Sequence, residues 1–122
     1  MPNAVTHFEI MSKDGKKLSQ FYAKLFGWET EWVKEIRYGM VKAQDKGIGG
    51  GIGTKQRGGK WGVTFYVEVE DIEAYLSKAK KMRAKTILPK TVIPGMVEYA
   101  LFKDPQGNIV GVVKSLAPTQ PA

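Results

Sequence analysis

Cysteine is absent from the 122 residues. That single absence removes disulfide staples, thiolate metal sites and cysteine nucleophiles together. Histidine occurs once, at His7, so chemistry that needs an imidazole has one address in the chain. No apolar run approaches the roughly 20 residues of a membrane-spanning helix. The opening Met-Pro-Asn-Ala-Val-Thr-His lacks the basic-then-apolar start of a secretory signal. These absences predict a cytoplasmic protein with no membrane partner. A phosphate-binding glycine motif is missing too, although the composition invites one. Gly47-Ile-Gly-Gly-Gly-Ile-Gly-Thr54 satisfies neither G-x-G-x-x-G nor G-x-x-x-x-G-K-[ST], and the polar loop Lys55-Gln-Arg-Gly-Gly-Lys60 follows it instead of a helix start. Glycine there fits a strand approached closely by a ligand or by another backbone.

What is present suits one compact domain, with 43% hydrophobic residues for a core and a net charge of +7. The charge is not gathered in a tail. Residues 1–58 hold ten Lys and Arg against six Asp and Glu, and residues 59–122 hold nine against six. The densest run, Lys78 to Lys85, falls on the solvent side of a predicted helix, and the aromatics sit in core-like patterns rather than among the cations. A nucleic-acid partner is therefore disfavoured.

Val5-Thr-His-Phe-Glu-Ile10 alternates as a first strand, placing Val5, His7 and Glu9 on one face. Asp14 opens a helix that Gly27 closes, with Leu18, Phe21, Tyr22 and Leu25 as its apolar stripe; Phe21 and Trp28 read as core. Strands are predicted at 28–33, 38–43 and 47–54. The pattern then restarts. Val63 to Val69 is a strand, and Asp71 caps a helix with the stripe Ile72, Tyr75, Leu76, Ala79 and Met82. Strands at 86–88, 96–103 and 108–114 follow, the last two joined by a turn at Asp104-Pro-Gln-Gly107 in which Gly107 or Asn108 takes a positive φ. The order is βαβββ twice, an α+β fold, with one module over about 4–55, the other over about 61–115, and a flexible tail at 116–122.

Several pieces resemble the vicinal oxygen chelate superfamily, the glyoxalase and bleomycin-resistance fold. They are Thr6-His-Phe-Glu-Ile10, Phe21-Tyr22 with Leu25-Phe-Gly-Trp28, Gly49-Gly-Gly-Ile52, Val67-Glu-Val-Glu-Asp-Ile72 and Phe102-Lys-Asp-Pro-Gln-Gly-Asn108. The resemblance covers residues 4–115. It implies two βαβββ modules in a cupped mixed sheet with helices outside, often in a homodimer. Metal-dependent members place a ligand on each of four strands so that a divalent ion can chelate the substrate's oxygens. Carried over, those positions fall on His7, Gly50 or thereabouts, Thr64 and Gly111. Only His7 is a normal ligand, so no cofactor is expected and a divalent metal is disfavoured. Rescue of a metal site would have to come from Glu9 or Glu68.

The expected function is thus a family member with a degenerate metal site that binds a small neutral or anionic organic molecule. The pocket is expected from His7, Glu9, Gly50, Thr64, Tyr66 and Gly111, with His7 and Glu9 as the candidate catalytic pair and Trp61 as a lid or a strand-end aromatic. Two alternatives stand beside it. One is a metal-dependent lyase, isomerase or dioxygenase with an unusual ligand set, and the other a basic, non-enzymatic interaction module.

Overall fold

The computed structural model describes residues 2–116, so the tail expected to be flexible lies, beyond Leu116, outside the described residues. The described residues form two compact units: residues 6–65, and residues 2–5 together with residues 66–116.

In the first unit β1 (Val5–Ser12) leads through Asp14 into α1 (Gly15–Phe26). The Asp14 carboxylate accepts from the Lys17 N–H at 3.1 Å and so satisfies one of the helix's unpaired donors. At the other end Gly27 adopts φ +71° and its N–H donates to the Ala23 carbonyl, a left-handed cap that glycine takes without strain. Then come β2 (Thr30–Val33), a 3₁₀ turn at Lys34–Ile36, β3 (Tyr38–Val41) and β4 (Gly49–Thr54). The pairs β2/β3 and β3/β4 are antiparallel, whereas β4 lies parallel to β1.

The helix seats itself differently from the expected stripe. Its buried line is Gly15 and Ser19, while Phe21 and Leu25 are 54% and 58% exposed. A side chain at Gly15 would run into the backbone of Gly53, and one at Gly39 would meet the Ser19 hydroxyl. Small residues one turn apart thus let α1 lie close on the glycine-bearing strands. The large residues are displaced to the flank, which corrects the assignment of Phe21 to the core. Trp28 is half-buried among Phe8, Tyr22 and Phe26, with ring centroids 5.3–5.5 Å away.

The second unit repeats this topology. The strand β5 (Gly62–Glu68) straddles the division and pairs parallel with β8 (Ile109–Ser115). Antiparallel ladders join β8 to β7 (Val97–Lys103) and β7 to β6 (Lys85–Ile93). The helix α2 (Ile72–Lys81) is capped by Asp71, whose carboxylate accepts from the Ala74 N–H at 3.0 Å. Val69, Ile72, Ala100 and Val112 form the core against Leu76 and Phe102. The strand expected at 86–88 extends through Pro89 to Ile93. Proline is tolerated because β6 is at the edge and shifts register around it. In the β7–β8 turn Gly107 takes φ +90°, and Asp104 accepts from the N–H groups of Gln106 and Asn108 at 2.9 Å.

Candidate functional site

Alternation along β1 puts His7 and Glu9 on one face, and the parallel register sets them beside Gly49 and Gly51 of β4. On the far side of β4, Tyr38 pairs with Gly53. The hydroxyl end of its ring lies over Gly51, where a Cβ would collide with the ring and its oxygen. Glycine is therefore required at 51 so that Tyr38 can reach across one strand to another. The Tyr38 hydroxyl donates to Glu9 Oε2 at 2.8 Å and lies 2.9 Å from His7 Nε2. The other carboxylate oxygen, Oε1, is 2.7 Å from the ammonium of Lys60, which comes from the loop after β4. These two side chains are only 8% (Lys60) and 13% (Glu9) exposed. The Lys60 approach is too oblique for a hydrogen bond, so charge attraction holds the pair.

The proton inventory fixes the tautomer. Tyr38 has one hydroxyl proton and gives it to Glu9, so His7 must donate from Nε2 and carry its lone pair on Nδ1. Burial pushes the His7 pKa below its ordinary value, Glu9 opposes the shift and Lys60 adds to it. The ring is accordingly neutral near pH 7. A neutral imidazole with a defined basic nitrogen, backed by a tyrosine and a charge-balanced carboxylate, can accept a hydrogen bond or a proton.

The structure brings His7 and Glu9 together and adds Tyr38 and Lys60, neither of which was a candidate on sequence. It does not bring Gly50 to them. That residue is on the opposite face, beneath the Phe8 ring; the glycines on the His7 face are Gly49, Gly51 and Gly53. Thr64 is buried in β5. In the second unit the Tyr66 ring lies over Gly111, with Tyr99 edge-on at 6.3 Å, and Glu68 is exposed. Each unit thus has a tyrosine ring over the glycine of its β1- or β5-paired strand. The sequence signal for Tyr38 was the spacing of Gly49, Gly51 and Gly53, which clears one face of a strand. Nothing local marked Lys60.

The residues do not fit a divalent metal. Among the described residues no three His, Cys, Asp or Glu side chains gather as a ligand set. Both Glu9 oxygens are engaged, and the buried Lys60 ammonium puts a positive charge where a cation would have to sit.

A family model described as Glyoxalase/Bleomycin resistance protein/Dioxygenase superfamily matches residues 4–112. No curated protein matches the sequence significantly. Among solved structures, a Legionella pneumophila protein described as NAD-dependent benzaldehyde dehydrogenase is similar with TM-score 0.69 and 14% identity, over 93% of this chain and 99% of that one. A Vibrio splendidus member of the glyoxalase/bleomycin resistance protein/dioxygenase superfamily has TM-score 0.65 and 14% identity, over 93% and 100%. A Streptomyces coelicolor methylmalonyl-CoA epimerase variant, in complex with 2-nitronate-propionyl-CoA, has TM-score 0.62 and 15% identity, over 99% and 100%. Identities this low establish the fold and leave the chemistry to the residues.

Proposed function

The chain belongs to the glyoxalase/bleomycin resistance protein/dioxygenase superfamily, and from that premise we propose that it is a metal-independent member binding a small neutral or anionic organic molecule at the His7 face of β1. One observation carries the proposal: Glu9 is saturated from within the protein, by Tyr38 at 2.8 Å and Lys60 at 2.7 Å. A carboxylate held this way orients its neighbours instead of coordinating an ion. His7 is the ligand-contacting group, presenting its neutral imidazole to the bound molecule. If the bound molecule carries an acidic proton, that proton moves to the imidazole. The imidazolium so formed is stabilised through Tyr38 by the Glu9 carboxylate.

The test is calorimetric titration of chelator-stripped protein with zinc, nickel and manganese, beside a thermal-shift screen of small organic acids and neutral carbonyl compounds. The expected result is no micromolar metal binding, and a stabilising ligand whose shift is lost in His7→Gln. Micromolar metal binding that His7→Ala abolishes would overturn the proposal and restore a metal-dependent lyase.

A further inference from the structure

The parallel strands β1 and β4 end in register at Ser12 and Thr54. Their next residues, Lys13 and Lys55, therefore leave the sheet side by side, and the Lys55 N–H donates to the Ser12 carbonyl at 2.8 Å. The start of α1 is clamped to the same end, because the Gly15 N–H donates to Thr54 Oγ1 at 2.9 Å. Around these strand ends the 55–61 loop folds so that Arg57 and Trp61 join Lys13 and Lys55 about an open cleft of about 300 Å³. Three cations and an indole line it, with no carboxylate among them. Acids close by in sequence or space are committed elsewhere: Asp14 caps α1 through the Lys17 N–H, and Glu9 holds Lys60 and Tyr38.

The loop is anchored. Lys60, the residue before Trp61, is tied by its buried ion pair to Glu9 on β1. That tether holds the indole at the cleft although the residue is 65% exposed, and the Lys55 ammonium lies 5.9 Å from its ring centroid. Three like charges converging on one concavity repel each other, and the backbone bonds of two strand ends keep two of them adjacent. An anion relieves that repulsion. The glycines of β4 take no part, since Gly50, Gly51 and Gly53 make room for Phe8 and Tyr38 and Gly49 lies against Val41 and Ala43.

We propose that this cleft binds a phosphorylated small molecule carrying a planar ring. Lys13, Lys55 and Arg57 would take the phosphoryl oxygens, Arg57 with its planar fork, and the ring would stack on Trp61. The cleft's volume matches the small end of ligand sites. The proposal stands apart from the His7 reading, because none of its four residues belongs to that cluster.

The probes are ADP, inorganic pyrophosphate and adenosine, titrated calorimetrically at low ionic strength. One variant carries Lys13→Gln, Lys55→Gln and Arg57→Gln; a control carries Lys78→Gln, Lys80→Gln and Lys81→Gln on α2 and loses the same charge. The expected result is that ADP and pyrophosphate bind and adenosine does not. The cleft variant should weaken ADP at least about tenfold, the control should leave it within about twofold, and Trp61→Ala should weaken ADP more than pyrophosphate. The proposal is overturned by equal losses in cleft variant and control, by adenosine binding as tightly as ADP, by a Trp61→Ala variant that treats ADP and pyrophosphate alike, or by no binding of either anion at millimolar concentration.

Discussion

Glu9 is the residue on which the candidate site turns, since Tyr38 and Lys60 each occupy one of its oxygens. Removing either charge deprives the other, largely buried, of this ion pair. Lys60→Met or Glu9→Gln should each destabilise the protein by about 3–5 kcal/mol, and the double variant by less than the sum. Urea unfolding of the four proteins checks this; strictly additive losses would show that the pair does not act as a unit. His7 contributes a pH dependence of defined sign. Its folded pKa is lowered from 6.5, so between the folded value and 6.5 the unfolded chain binds the proton more readily. Stability is full above 6.5 and is lost as pH falls through that window toward the folded pKa. The urea midpoint should fall between pH 7.5 and 5, and His7→Gln should remove part of the fall. His7 and Glu9 were legible as a pair because strand alternation is local. Tyr38 and Lys60 were not, because they reach Glu9 across a strand register and from a loop.

At the scale of elements the glycines of β4 carry the lesson. They read as room for a ligand or a backbone; in the structure the Phe8 and Tyr38 rings take the room at Gly50, Gly51 and Gly53, and backbone comes close at Gly49 (Val41) and Gly53 (Gly15). Gly51→Ala should therefore cost about 1–3 kcal/mol by overpacking, and Tyr38→Leu in the same chain should recover part of that loss, as thermal melts would show. Gly51→Glu should fail to create a metal site, which zinc titration would read directly. Three of the caps were legible: Asp14 and Asp71 start the helices and Gly27 ends the first. Gly27→Ala should cost about 1 kcal/mol in urea unfolding, because φ +71° is strained for any residue with a Cβ. The helix stripe misled for a physical reason. Hydrophobic periodicity finds large apolar residues, whereas α1 packs through Gly15 and Ser19, which carry too little apolar surface to register in a pattern.

Over the whole molecule, the sequence repeat and the compact units divide differently. The repeat restarts after the 55–61 loop, but residues 2–5 belong with the second unit. There the Glu68 N–H donates to the Ala4 carbonyl at 2.9 Å, Asn3 Nδ2 donates to the Glu68 carbonyl, and the Tyr75 hydroxyl donates to Asn3 Oδ1, the last two at 3.0 Å. Deleting residues 1–4 should thus lower the urea midpoint and speed amide hydrogen exchange in β5 and α2, well beyond the end effect expected of a frayed terminus. Exchange unchanged in those two elements would show that the N-terminal segment contributes nothing there.

The sequence by itself determined the α+β class, the doubled βαβββ order, the helix caps, the Asp104 turn and the family, because each rests on residues close in the chain or on short motifs in a fixed order. Tertiary structure decided the rest. Which ring covers Gly51, which face Gly50 belongs to, how α1 is seated, and which cation neutralises Glu9 all depend on strand register and side-chain reach, and neither is written in any local pattern.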